Sequence, residues 1–213
     1  MLSNQFVVQS IQSQQTYEWL LKKHYAKRIP SISYAFGLFT KNSVLCGVCT
    51  FGKPASPYIC IGICGEKESA YVYELNRLCV NDGLPKNVLS YFVSKCLNAL
   101  PPLIVVSYAD TKMNHSGYIY QATNWIYTGA TKERTDIGVY SDKHSRHYDK
   151  GIDYSSNRVH RSSKHRYVYF TGTKRHKKKW LSLLNYKTED YPKHKNKRYD
   201  SGPHISTQVE MFI

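Results

Sequence analysis

The chain has little acid. It carries 15 Asp and Glu against 30 Lys and Arg, for a net charge of +15 over 213 residues. That excess argues against an acidic binding surface and for a polyanionic partner, through release of the partner's counterions. Long apolar runs are also missing. No segment approaches the about 20 apolar residues that a bilayer-spanning helix needs, so no membrane partner is expected. The N-terminal stretch from Met1 to Ser10 has no basic start and no apolar core, unlike a signal peptide. The expected location is therefore cytoplasmic. There is no Gly-rich dinucleotide fingerprint, no heptad pattern and no internal repeat, which sets aside nucleotide-dependent oxidoreductases, coiled coils and solenoids.

The six cysteines, Cys46, Cys49, Cys60, Cys64, Cys79 and Cys96, fall in the first half of the chain. Their spacing invites a zinc site. Each lies in an apolar stretch, however, and buried free thiols are the favoured reading.

The length suits one domain with an appendage. Apolar residues make up 41% and tyrosine alone supplies 19 residues, enough for a core with polar edges. The periodicity predicts a helix over 14–25, with Tyr17, Leu20, Leu21 and His24 on one face. It predicts a hairpin over 33–51, a short strand over 58–64, a strand over 70–80, a helix over 87–100 and a strand over 103–109. A further helix over 115–125, with Ile119, Ala122 and Ile126 inward, leads to a strand from 126. A late strand falls at 166–170. This order predicts an α/β (α+β) fold, a central mixed sheet flanked by helices, with a parallel crossover from 70–80 to 103–109. Residues 1–170 form the expected domain. A basic loop at 141–166 and a basic tail at 171–213 follow from composition.

Charge is uneven. Residues 131–213 hold 19 Lys and Arg against 9 Asp and Glu. Cations interleaved with His and Tyr suit phosphate contact and base stacking. The candidate DNA contacts are Arg28, Lys143, His144, Arg146, His147, Tyr148, Arg158, Arg161, Lys164 and Arg166.

Candidate chemistry centres on Ser107-Tyr108-Ala-Asp110. A carboxylate just past an apolar strand sits where α/β sheets place ligands, as general base or metal ligand; helix capping is the structural alternative. His24 lies at a helix end, where the dipole favours a protonated ring.

Several strings in order resemble the phage Mom family of adenine-modification proteins. They are Lys23-His24-Tyr25 with Arg28 and Pro30; Gly47-Val-Cys-Thr-Phe-Gly52-Lys-Pro-Ala-Ser56; Tyr73-Glu-Leu-Asn-Arg77-Leu; Ser107-Tyr-Ala-Asp110; His115-x-Gly117-x-Ile119-Tyr120-Gln-Ala-x-Asn124-Trp; and Lys143-His-Ser-Arg-His147. The resemblance implies a GNAT-like acyltransferase fold with a basic C-terminal extension. It implies conversion of adenine in double-stranded DNA to N6-carbamoylmethyladenine, which shields phage DNA from host restriction. The catalytic set it implies is His24, Tyr25, Asp110 and Tyr120, with Ser107 and Tyr108 beside them. The donor unit maps to Leu75, Asn76, Gly83, Lys86 and Asn87. At that loop the usual acetyl-CoA string is replaced by Asn81-Asp-Gly83-Leu-Pro-Lys-Asn87. An acyl-CoA, an aminoacyl carrier and glycine-derived material all stay open as donors, as does Fe(II) held by His24 and Asp110. The target base is expected to be flipped out of the duplex. The oligomeric state is left open. Two other readings compete: a GNAT-fold acyltransferase on a small molecule or protein, and a DNA-binding protein without catalysis.

Overall fold

A computed structural model describes residues 1–138 and 148–193, together with the backbone of 207–208. The predicted contacts Lys143, His144, Arg146 and His147 lie outside the described residues. The alternating runs of the first half pair as a sheet. β1 (Phe6–Ser10), β2 (Tyr34–Thr40), β3 (Val44–Gly52) and β4 (Val72–Val80) are antiparallel neighbours. β4 then pairs in parallel with β5 (Ile104–Asp110), through the crossover helix α2 (Val88–Ala99). The parallel crossover is as predicted, and it follows from the apolar i, i+4 face of 88–100 covering the sheet. After β5 come the short helix α3 (Tyr118–Ala122) and β6 (Ile126–Ala130). A separate two-stranded ribbon follows, β7 (Arg134–Ile137) with β8 (Arg158–Arg161). β9 (Lys164–Phe170) inserts between β5 and β6. The order is therefore β1-β2-β3-β4-β5-β9-β6, a mixed sheet with helices on both faces. The two-residue β10 (Thr207–Gln208) pairs with Val44 and Leu45 of β3.

Apolar clusters cover both faces of the sheet, and Trp19, Leu20, Phe39, Leu45, Val48 and Cys79 form one of their own. On one face Phe36, Phe51, Leu75, Phe92, Val105, Tyr120, Trp125 and Tyr167 pack around α2 and α3. On the other, Ile63, Val72, Ile104, Val106, Val168, Phe170 and Trp180 pack under helices. This division settles the cysteines. All six are free thiols. Cys46 and Cys49 belong to the first cluster and Cys64 to the second, so the sheet separates the pairs that a zinc knuckle would have to join.

Three expectations are corrected. Residues 58–64 are not a strand: Pro57–Cys64 form a helix, α1, with Pro57 at its first position. Proline there loses no hydrogen bond and its fixed φ suits the helix; the alternating Ile and Cys masked this start. The helix over 14–25 ends in a π turn, Trp19–Lys23, where His24 N donates to Trp19 O at 2.9 Å. The wider turn rotates the pattern, so Trp19, Leu20 and Lys23 are buried while Leu21 is exposed. In α3, Ala122 faces outward and Tyr120 faces in.

The basic segment after 170 is partly built into the core. α4 (Lys174–Ser182) is capped by Thr173, whose hydroxyl accepts from His176 N. Trp180 is 2% exposed and its indole N–H donates to Glu68 at 2.7 Å, while Lys179 reaches the other carboxylate oxygen at 2.6 Å. These two donors hold the Glu68 carboxyl below the usual carboxylate range. A buried indole has to find such a partner. Further on, Glu189 N donates to Tyr127 O and Tyr191 Oη to Trp125 O.

A candidate active site where two parallel strands part

β4 and β5 pair only from Val72–Ile104 to Glu74–Val106. Beyond that rung β4 stays with β3 and β5 with β9. The register slips at Thr50/Phe51, because Thr50 pairs with Arg77 and Phe51 with Leu75. Asn76 is thus an extra residue, a β-bulge that bends the strand and opens a wedge between Leu75 and Ser107. The Ser107 hydroxyl bridges its apex, 2.8 Å from Leu75 O and 2.7 Å from Tyr120 Oη. Burial drives the Tyr120 and Tyr108 hydroxyls well above their ordinary range. Gly117 supports this corner: a Cβ there would lie 2.3 Å from the Tyr167 ring, at a φ of +78°. Only glycine fits both.

The bulge also docks the segment that carries His24. Asn76 Nδ2 donates to Ser31 O at 2.8 Å and its Oδ1 accepts from Thr50 at 2.6 Å. Arg77 donates to Arg28 O at 3.4 Å and to Asn76 O at 2.6 Å. Gly52 permits the approach, since a Cβ there would sit 1.8 Å from Ser31 O. The Asn76 side chain, placed in the donor set by sequence, is therefore used in holding Ser31 and Thr50 together.

His24 and Tyr25 stack with ring centroids 4.5 Å apart, and the Tyr25 ring meets His115 edge-on at 6.2 Å. The π turn buries His24 to 7% exposure and leaves Tyr25 at 50%. Burial, with Arg77 and His115 nearby, pushes His24 down to about 3. The expected protonated ring is corrected: desolvation outweighs the helix dipole. The Ala26 N–H donates to His24 Nδ1 at 3.1 Å, so the neutral ring carries its proton on Nε2 and is a donor there.

Two carboxylates flank Tyr25, and both oppose its ionisation, as does burial. Asp110 is heavily engaged. It accepts from Lys112 N at 3.0 Å and Ser162 Oγ at 2.6 Å, and pairs with Lys164 at 3.5 Å. It does cap the following turn. Glu74 differs. No hydrogen bond or ion pair of the described residues holds its carboxylate. Burial raises it, against the pull of Arg77 and Lys164. A half-buried carboxylate that no hydrogen bond of the described residues holds is a candidate base. Arg77 adds a buried Nε with no hydrogen-bond partner among the described residues. His115 is also lowered by burial. Glu74, Arg77 and His115 were not in the predicted set. The signal for Glu74 was present, an acid within the otherwise apolar and aromatic start of a strand.

The loop that the resemblance assigns to the donor runs from β4 to the start of α2. Gly83 has a φ of +77° and Asn87 a φ of +68°. Asn87 begins α2 without a side-chain cap, and Lys86 is exposed beside it.

His24 and Asp110 do not form a fitting pair for Fe(II). Nδ1 of His24 accepts from Ala26 N, which leaves the proton on Nε2, and the Asp110 oxygen not used by Lys112 and Ser162 faces the Lys164 ammonium. Among the described residues no three His, Cys, Asp or Glu side chains converge as metal ligands, and no helix is long and apolar enough to cross a membrane.

The predicted DNA contacts separate into two kinds. Arg158 and Arg161 are exposed on β8. Arg166 is turned inward, bonded to Thr128 at 2.8 and 2.9 Å and stacked 3.4 Å over the Tyr186 ring. Lys164 is tied to Asp110, and Tyr148 packs against Tyr154 at 5.2 Å.

The model of the Mom protein family matches residues 5–193. The chain belongs to the Mom protein family. A curated relative, the methylcarbamoylase mom of Escherichia phage Mu, is 28% identical over a 188-residue alignment that covers 80% of this chain and 77% of the relative. Solved structures with a similar chain path include an N-acetyltransferase from Staphylococcus aureus Mu50, at 12% identity and a TM-score of 0.45, covering 78% of this Mom-family chain and 98% of that one. Another is yncA of Salmonella typhimurium, assigned as an acetyltransferase and solved with acetyl-CoA, at 9% identity and a TM-score of 0.44, covering 79% and 95%.

Proposed function

We propose that this Mom-family chain is a transferase that modifies adenine in DNA at N6, attaching the carbamoylmethyl group, and so protects phage DNA from restriction. The observation that carries the reading is the Tyr25 platform: a half-exposed aromatic ring backed by His24 and His115, with the unengaged Glu74 beside it. Flipping a base costs a few kcal/mol. Stacking on aromatic rings returns about 1–3 kcal/mol per base, so a platform of this kind offsets much of that cost.

The adenine amine is a weak nucleophile, because its lone pair is delocalised into the ring. Its proton leaves as the new N6–carbon bond forms. Glu74 is the base for that proton in this reading, since desolvation favours its protonated form. Asp110, fixed by Ser162 and Lys164, orients the amine as an acceptor. His24 Nε2–H and Arg77 Nε–H point positive charge at the transferred group, and the Ser107–Tyr120 pair lies at the wedge apex, where a leaving group is protonated. The donor's anionic portion rests on the uncapped start of α2 and Lys86. An acyl-CoA and an aminoacyl or glycine-derived carrier both meet that description; attack on either expels the carrier and first joins N6 to a carbonyl carbon, so a glycyl group, N6–CO–CH2–NH2, must then isomerise to N6–CH2–CO–NH2, with no change of oxidation state, to give the carbamoylmethyl product. The host cytoplasm is the site of action that follows.

Nucleoside mass spectrometry of DNA from cells expressing the chain tests this directly. Carbamoylmethyl-deoxyadenosine is the expected product. Unmodified deoxyadenosine alone, with the protein folded and abundant, overturns the reading and leaves acyl transfer to a small molecule or protein, or DNA binding without catalysis.

A further inference from the structure

The β7–β8 ribbon pairs with no other strand among the described residues. Its root is stapled to the end of β5. Ser162 Oγ donates to Asp110, Thr111 N and Oγ1 both donate to Ser163 O, and Thr131 N donates to Lys164 O. The ribbon therefore leaves the sheet at the mouth of the cleft, fixed to the strand end beside Tyr25.

Its register puts Arg134 directly opposite Arg161. Opposed residues of an antiparallel pair have Cα atoms about 4.5–5.5 Å apart, and like charges at that position destabilise the pair. Alternation places Asp136 and Val159 on the same face, and Asp136 reaches Arg161 at 3.7 Å. No carboxylate of the described residues pairs with Arg134. The other face is compensated differently, with His160 against Glu133 at 3.2 Å. An exposed rung of two arginines with one distant acid is unfavourable alone and favourable around an anion. Arginine's planar fork suits phosphate oxygens.

We propose that the ribbon is a clamp for the backbone of duplex DNA, with Arg134 and Arg161 gripping the phosphates beside the target adenine. This rests on the DNA reading above and adds to it a specific rung. A two-stranded ribbon matches the width of the major groove. The rung is a positioning device: phosphate contacts fix register without reading sequence.

The test uses the full chain and fluorescently labelled duplex oligonucleotides of several sequences, with affinity measured from about 50 to 200 mM salt. Arg134→Ala with Arg161→Ala is expected to weaken binding about 10-fold or more at low salt, equally on every sequence. It is expected to reduce the slope of log affinity against log salt by about 1–2. Arg134→Lys with Arg161→Lys is expected to keep most of the slope. An unchanged affinity and slope in the alanine variant, while the wild-type chain binds and modifies DNA, overturns the clamp and leaves the DNA reading standing. A loss confined to certain sequences overturns it in favour of base reading. A wild-type chain that neither binds duplex nor modifies adenine overturns the DNA reading itself, and the clamp with it.

Discussion

His24 and His160 are the same residue in two regions that use charge in opposite ways. His24 is 7% exposed, stacked on Tyr25, and driven down to about 3 by burial and neighbouring cations. The His160 side chain is 60% exposed on the ribbon and meets Glu133 at 3.2 Å in open water. The same contrast runs through the acids. Glu74 in the cleft is raised by burial and left unengaged, whereas Asp136 on the ribbon lies beside Arg161. In the cleft, loss of water shifts His24 and Glu74 toward their neutral forms. On the ribbon, water screens every pair, and each contributes little to stability. In the proposed function the fold thus separates chemistry from grip.

The largest effect that sharpens this contrast is expected at Glu74. Glu74→Gln is expected to lower DNA modification by about 10²–10⁴-fold, the usual worth of a general base, with duplex affinity unchanged. A loss under about 10-fold would move the base role to Asp110. Asp110→Asn, which keeps an acceptor for Ser162 and Lys112, is also expected to lower modification while leaving binding intact; equal loss of both would make Asp110 structural.

Next is pH. His24 is folded with its pKa at about 3 against 6.5 when unfolded, so the unfolded chain binds the extra proton between these values. Its stabilising contribution is complete above pH 6.5 and is lost as pH falls toward 3, with a slope approaching about 1.4 kcal/mol per unit at most. Denaturant titrations of wild type and His24→Gln are expected to diverge in slope over this window. Parallel curves would mean that His24 is hydrated in solution.

A smaller change is expected at the platform. Tyr25→Ala removes one stacking partner and is expected to raise the KM for DNA about 10-fold, in line with about 1–3 kcal/mol per stacked base. Tyr25→Phe keeps the ring and is expected to keep KM. Equal KM in the alanine variant would remove Tyr25 from base recognition.

The smallest effect belongs to the ribbon's exposed pair. His160→Ala is expected to change stability by less than about 1 kcal/mol. A larger loss would show that the ribbon is packed rather than solvated, and would erase the contrast.

Much of this was legible in the chain. The alternation of 33–51 and 70–80, the i, i+4 face of 88–100 and the apolar run at 103–109 each depend on local periodicity, and each formed as read. Ser107, Asp110 and Tyr120 were found from a strand end and a shared motif. The misreadings have local causes. At 58–64 the apolar pattern suits helix or strand alike, and Pro57 decided for the helix. At 19–23 a π turn shifted the buried face, which no regular periodicity encodes.

The sequence by itself determined the excess of positive charge, the mixed sheet and the strings that resemble the Mom family, because charge, periodicity and motif are properties of the linear chain. Only the tertiary structure decided which groups are desolvated and which are engaged. The bulge at Asn76 parted β4 from β5, the π turn brought His24 and Tyr25 together, and burial raised Glu74 while Ser162 and Lys164 occupied Asp110. Desolvation and engagement depend on what the fold places around a side chain, and residues distant in sequence supply both.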